Sequence, residues 1–316
     1  MKASAIAHPN IALIKYWGKR DLQKNLPAVS SLSLTLSDFH TRTSVEWGAY
    51  EDQLVLNNTV QQSQAAQRVF NFLDLIDPHR PPCSVRSENN FPTAAGLASS
   101  SSAFAALALA ATTAAQKDYT PTQLSVLARQ GSGSACRSLW GGWVLWDRGS
   151  ANTGEDSHGH PLAAADHWAV SMIIAVVSEQ KKSVSSTKGM LQSAQTSPFY
   201  SAWVESSQAD VDAARTAVLK RDIHALGTLM EHSTIKMHAT MMTTQPSIRY
   251  WKPKSIAIMD CVEKLRSQGY SCYQTMDAGP NVKILCPAQE AQAVARELEQ
   301  ITPCHILSPG PHAYLC

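Results

Sequence analysis

The chain has no Cys-x-x-Cys pair, no long apolar run and almost no net charge, and each absence removes a class of function. Its seven cysteines, Cys83, Cys136, Cys261, Cys272, Cys286, Cys304 and Cys316, are odd in number and mostly lie within apolar segments. They read as reduced thiols packed as small hydrophobes in a cytoplasmic protein, on a spacing that does not suit zinc. A formal charge of +2 gives no footprint for nucleic acid or for an anionic membrane. The apolar stretch Ser171–Val177 is far too short to span a bilayer. Met1–Ile6 lacks the apolar core of a signal peptide, and the terminal Ala-Tyr-Leu-Cys is neither a peroxisomal address nor a prenylation box. No internal repeat or low-complexity segment stands out.

What remains is an ordinary globular composition, 44% hydrophobic and 16% charged, over 316 residues. That length buries a large core and divides into two lobes. In the first half, strand-like runs at 3–8, 31–37, 41–47, 53–56 and 83–87 alternate with helical patterns at 62–76, 103–116 and 121–129. A strand at 143–146 follows. The stretch 150–166 is rich in Gly, Asp, His, Ala and Ser and reads as a loop, which puts the lobe boundary at about 167/168. Beyond it come a strand at 169–177, long helical segments over about 195–243, helices at 254–267 and 288–301, and a strand pair within 270–286. The pattern is α+β or α/β, with mixed sheets and helices packed on them.

Four segments carry chemistry. Residues 91–102, Phe-Pro-Thr-Ala-Ala-Gly-Leu-Ala-Ser-Ser-Ser-Ser, open directly onto an alanine-rich helix. A helix N-terminus offers unpaired N–H groups and a favourable dipole to an anion, and the small side chains of Thr93, Ala94, Ala95 and Gly96 let a polyphosphate come close. Ser99 and Ser100 add hydroxyls for phosphate oxygens or magnesium. In Lys15-Tyr16-Trp17-Gly18-Lys19-Arg20, two lysines, an arginine and a tyrosine crowd together, as for phosphate or carboxylate recognition; a solvated basic patch is the plainer alternative. Gly131–Ser138 alternates glycine with serine before Arg137, giving a second anion loop beside a guanidinium. Asp277 stands at a strand end before Ala278-Gly279-Pro280-Asn281, as a turn former or as a rigidly held carboxylate.

Together with Val184-Ser185-Ser186-Thr187-Lys188-Gly189-Met190, these motifs resemble the mevalonate diphosphate decarboxylase family of the GHMP kinase superfamily over nearly the whole chain. The resemblance implies a GHMP-kinase-like two-lobed fold, with lobes 1–167 and 168–316 around a deep cleft, and a homodimer. It implies ATP- and Mg2+-dependent decarboxylation of (R)-5-diphosphomevalonate to isopentenyl diphosphate, ADP, phosphate and CO2 in isoprenoid biosynthesis. On the family's pattern, Asp277 orients or deprotonates the C3 hydroxyl and Arg137 holds the carboxylate. Lys19 joins them in catalysis and, with Tyr16, Ser132, Ser134 and Ser186, surrounds the substrate. Residues 94–100 hold ATP, Ser100 touches the metal, and Asn10 and Lys15 lie close by. The alternatives are a decarboxylase of the 5-monophosphate, a kinase that stops after phosphorylating the C3 hydroxyl, and a non-catalytic relative.

Overall fold

A computed structural model describes residues 1–62, 64–91, 99–180 and 183–316. Its first sheet runs, in spatial order, Tyr314–Leu315, Lys2–Ala7, Thr41–Trp47, Cys83–Asn89, Gln53–Leu56 and Thr59–Gln61. Pairing is antiparallel except between Gln53–Leu56 and Cys83–Asn89. A second sheet, wholly antiparallel, orders Gly159–Ala163, Trp143–Trp146, Ser31–Thr35 and Asn10–Ile14. A third orders Tyr273–Met276, Val282–Pro287, Val170–Ala175 and Cys304–Leu307. Lys19–Asp21 and Leu26–Pro27 form a short separate pair.

The helices among the described residues are α1 (Gln64–Asp74), α2 (Ser99–Ala114), α3 (Pro121–Gly131), α4 (Ser186–Thr196), α5 (Tyr200–Lys220), α6 (Ile223–Met242), α7 (Pro253–Ser267) and α8 (Ala291–Glu299). Small side chains let α2 lie directly on the Lys2–Ala7 and Thr41–Trp47 strands, with Ala105, Ala106, Ala108, Ala110 and Ala111 buried in one core. A capping box between Thr120 and Gln123, with Pro121 at the first helical position, starts α3. Leu226 and Met230 of α6 bury against Leu13, Ile14 and Tyr273, joining the second and third sheets in one core. A further, smaller core gathers Trp17, Met190, Trp203, Met237, Met241 and Tyr250. These two cores hold the segment Lys15–Gly18 between the sheets and the later helices.

Two expectations need correction. Within the expected loop 150–166, Gly159–Ala163 is a strand paired with Trp143–Trp146. Its Pro161 and flanking turn residues hide the strand, but the strand stands at the sheet's edge, where proline is tolerated. The helical region begins at Ser186, not near 195, because Ser185 caps α4 by accepting from the Lys188 N–H. The region then breaks at Arg221, whose φ is +56°, and Asp222 caps α6.

Candidate active site

A cleft of about 570 Å³ opens between these elements, and its charged lining is Lys15, Lys19, Arg68 and Arg137 against Asp277. The other expected residues that the structure describes, Tyr16, Ser99, Ser100, Ser132, Ser134 and Ser186, line it too. Ala94, Ala95, Gly96, Leu97 and Ala98 lie outside the described residues. Arg20 is the exception among the charged residues of its motif: it donates to the Ala151 carbonyl at 2.9 Å and is not among the cleft's lining residues.

Asp277 follows the strand Tyr273–Met276, and its turn closes through the Gly279 N–H to the Asp277 carbonyl at 2.8 Å. One strand over, Lys283 stands opposite Thr275. Lys15 follows the strand Asn10–Ile14, with its backbone N–H donating to Ser233 of α6 at 3.0 Å. Its Nζ donates to the Ala12 carbonyl at 2.8 Å and to Asp277 Oδ1 at 2.6 Å. Lys283 Nζ sits 3.1 Å from Asp277 Oδ2, so one carboxylate lies between two ammonium groups whose side chains are each 1% exposed. Burial alone would raise the Asp277 carboxyl, but the two lysines dominate and hold it well below the usual carboxylate range. Burial lowers Lys15 to about 8, against the pull of Asp277. His238 of α6, buried behind this group, is lowered to about 3 by burial and then by Lys15, and stays neutral.

The Gly133–Cys136 turn delivers Arg137 into the cleft wall. Its Nε donates to Asn10 Oδ1 at 3.0 Å and its Nη1 to Ser31 Oγ at 2.6 Å, with the Trp146 ring 5.5 Å from Cζ. Asn10 is itself fixed by donating to Ser138 Oγ at 2.7 Å and the Ser134 carbonyl at 3.1 Å. The guanidinium is therefore oriented before any ligand arrives.

Beside it, the Tyr16 ring lies 4.5 Å from the same Trp146, and its buried hydroxyl has no hydrogen-bond partner among the described residues. Burial pushes the phenol up, so it stays a proton donor. A Cβ on Gly133 would meet that hydroxyl at 2.8 Å, which explains the glycine. Lys19 donates to Asn25 Oδ1 at 2.5 Å and is lowered to about 8, by burial first and then by Arg68. Arg68 of α1 donates from Nη2 to the Gly131 carbonyl at 2.6 Å, with its guanidinium over the Phe104 ring. Ser132 donates to Ser100 Oγ at 3.2 Å and so ties the anion loop to the start of α2.

No group of three His, Cys, Asp or Glu side chains among the described residues could hold a metal. Ser99 and Ser100 instead offer hard hydroxyl oxygens at a helix start, which suits a magnesium ion held mainly by phosphate and water. Sequence reasoning missed the roles of Lys283 and Arg68. The signal for Lys283 was a single charge inside the apolar run Val-Lys-Ile-Leu; Arg68 sits in an amphipathic helix and gave none.

A mixed α+β chain with this cationic cleft beside a serine-rich helix start is a GHMP-kinase-fold enzyme. Residues 7–159 match the model of the diphosphomevalonate decarboxylase-like N-terminal domain, and residues 172–308 that of the mevalonate 5-diphosphate decarboxylase C-terminal domain. The chain belongs to the diphosphomevalonate decarboxylase family. It is 39% identical to the Aspergillus fumigatus diphosphomevalonate decarboxylase over 95% of this chain and 80% of that one. The solved mevalonate diphosphate decarboxylase from Staphylococcus aureus superposes with a TM-score of 0.95 at 35% identity, covering 100% of this chain and 98% of that one. A structure described as MDDEF in complex with MVAPP, AMPPCP and magnesium gives 0.94 at 38% identity, covering 100% and 99%. Among the described residues, no helix is long and apolar enough to cross a membrane.

Proposed function

We propose that this cleft converts (R)-5-diphosphomevalonate and ATP into isopentenyl diphosphate, ADP, phosphate and CO2, with the following division of labour. The carrying observation is Asp277, ionised between Lys15 and Lys283 in a cleft it shares with a pre-oriented Arg137. Hydroxide is a poor leaving group, so the tertiary C3 oxygen is first phosphorylated. Asp277 accepts a hydrogen bond from that hydroxyl and orients it. A carboxylate held so acidic is a weak base, but the hydroxyl proton becomes strongly acidic as its oxygen bonds to phosphorus. Asp277 takes the proton at that point.

The C3–O bond then breaks with phosphate as leaving group. The electrons of the bond to the carboxylate carbon form the new C=C bond, and CO2 departs. Arg137 holds the carboxylate in position; its two fixed hydrogen bonds to Asn10 and Ser31 make geometry its main contribution. Lys19, with Tyr16, Ser132, Ser134 and Ser186, receives the substrate's diphosphate. The start of α2, with residues 94–100, receives ATP. Magnesium, when bound, neutralises phosphoryl charge, and Ser100 would be its protein ligand.

We also read 1–167 and 168–316 as the two lobes, and the protein as a cytoplasmic homodimer. Seven free cysteines support a reducing compartment. The experiment is CO2 and ADP release with Mg-ATP, comparing mevalonate 5-diphosphate with mevalonate 5-phosphate. Preference for the diphosphate is expected. Preference for the monophosphate overturns the substrate assignment, and ADP without CO2 overturns the decarboxylase.

A further inference from the structure

Lys283 belongs to the strand Val282–Pro287, which is paired on both sides and flanks the lysine with the fully buried Val282 and Ile284. An ammonium in such a position is strongly unfavourable unless a charge answers it. Asp277 Oδ2, 3.1 Å away, is its ion-pair partner, and neither atom has a hydrogen bond to any other group among the described residues. The lysine is too deeply buried to touch a substrate. What it can do is fix the carboxylate's rotation. Lys15 draws Oδ1, and Lys283 keeps Oδ2 turned inward and buried. Oδ1 is left as the oxygen offered to the cleft.

We propose that Lys283 is a positioning residue for the reaction: it clamps the inner oxygen of Asp277 so that the outer one meets the C3 hydroxyl. This rests on the function proposed above. Removing the clamp frees the carboxylate to swing about Lys15 and withdraws one of its two compensating cations. The charged and titratable groups around Asp277 are then Lys15 after the Asn10–Ile14 strand, His238 on α6 and Arg137 on the cleft wall. Of these, Lys15 is the one in direct contact with the carboxylate, and His238 is neutral.

The test is Lys283→Met, nearly isosteric and uncharged, assayed for CO2 release against pH. With one cation gone, Asp277 protonates more easily, so the acid limb of kcat, which in the wild type lies below the usual carboxylate range, should move up into it. We expect kcat to fall at least about tenfold, less than the roughly 100-fold or more expected for losing the proton acceptor itself, with KM for ATP unchanged. A lysine that only supports the fold would lower the melting temperature and leave the acid limb where it was; that result overturns the proposal. Inactive wild-type protein would instead overturn the function itself. Where Lys283→Met melts too low to assay, the pair is read by stability. Asp277→Asn strands the buried ammonium, so adding Lys283→Met should raise the melting temperature of that variant. Additive losses would refute the clamp.

Discussion

Replacing Asp277 with asparagine keeps the side chain's size and removes one charge, and the structure sets what should follow. Two ammonium groups, each 1% exposed, lose their counter-charge. Breaking a buried ion pair from one side costs about 3–5 kcal/mol. The Asp277 side chain is 27% exposed to the cleft, so water eases the loss and the lower end, about 3 kcal/mol, is expected. For a chain of this size that is roughly a 4–5 °C drop in melting temperature. CO2 release should fall at least about 100-fold, the loss of a positioned proton acceptor, while ATP binding holds. The stability deficit should depend on pH in a defined direction. Lys15 titrates at about 8 in the folded wild type, below its ordinary 10.5, so between those values the unfolded chain binds more protons and stability rises with pH. Without the carboxylate the lysine drops further, the window opens at lower pH, and the deficit shrinks between about pH 6 and pH 9. Melting curves at both pH values, beside a CO2 assay, decide it. A deficit equal at both, or turnover near that of the wild type, refutes the electrostatic account of Asp277.

Arg137→Lys keeps a cation but cannot donate to Asn10 and Ser31 together while facing Trp146, so kcat/KM for the diphosphate substrate should fall at least about tenfold. Steady-state kinetics near those of the wild type would remove the orienting role. Lys15 and Lys19 both titrate near 8 in the free cleft, so kcat/KM should fall on the alkaline side with a two-proton slope. Lys19→Arg, which stays charged, should reduce that slope towards one proton; an unchanged slope would show that Lys19 does not control binding. Gly189→Ala would set a methyl 2.9 Å from the Trp17 ring, which is 1% exposed and has no room to retreat. Overpacking of this kind costs about 1–3 kcal/mol, read by thermal melting, and a variant as stable as the wild type would show that α4 shifts freely.

The sequence exposed most of the cleft because most of its parts are local. The small-residue turn into α2, the glycine–serine loop before Arg137 and the turn after Asp277 each advertise their geometry within a few residues. The basic segment at 15–20 was legible as chemistry but not as placement. Lys15 is fully buried on the cleft floor, while Arg20 turns out to the 148–151 loop. The partners that fix the two are distant, Asp277 for Lys15 and Ala151 for Arg20, and no local pattern carries that. The strand at 159–163 was hidden for a different reason: an edge strand tolerates proline and needs few apolar residues, so its composition is that of a loop.

Charge explains why the distant contacts matter most. A cleft that gathers a diphosphate, a triphosphate and a carboxylate needs cations, and Lys15, Lys19, Arg68 and Arg137 line it. The same surplus threatens the one anion the chemistry requires, since a carboxylate among cations loses its basicity and its freedom to meet the C3 hydroxyl. The structure keeps Arg137 committed to Asn10 and Ser31, away from Asp277, and gives Asp277 two partners of its own. Lys15 and Lys283 thus hold the carboxylate in place and ionised at neutral pH. The reaction then relies on the sharp acidification of the attacking hydroxyl during phosphoryl transfer, not on a strong base waiting for it.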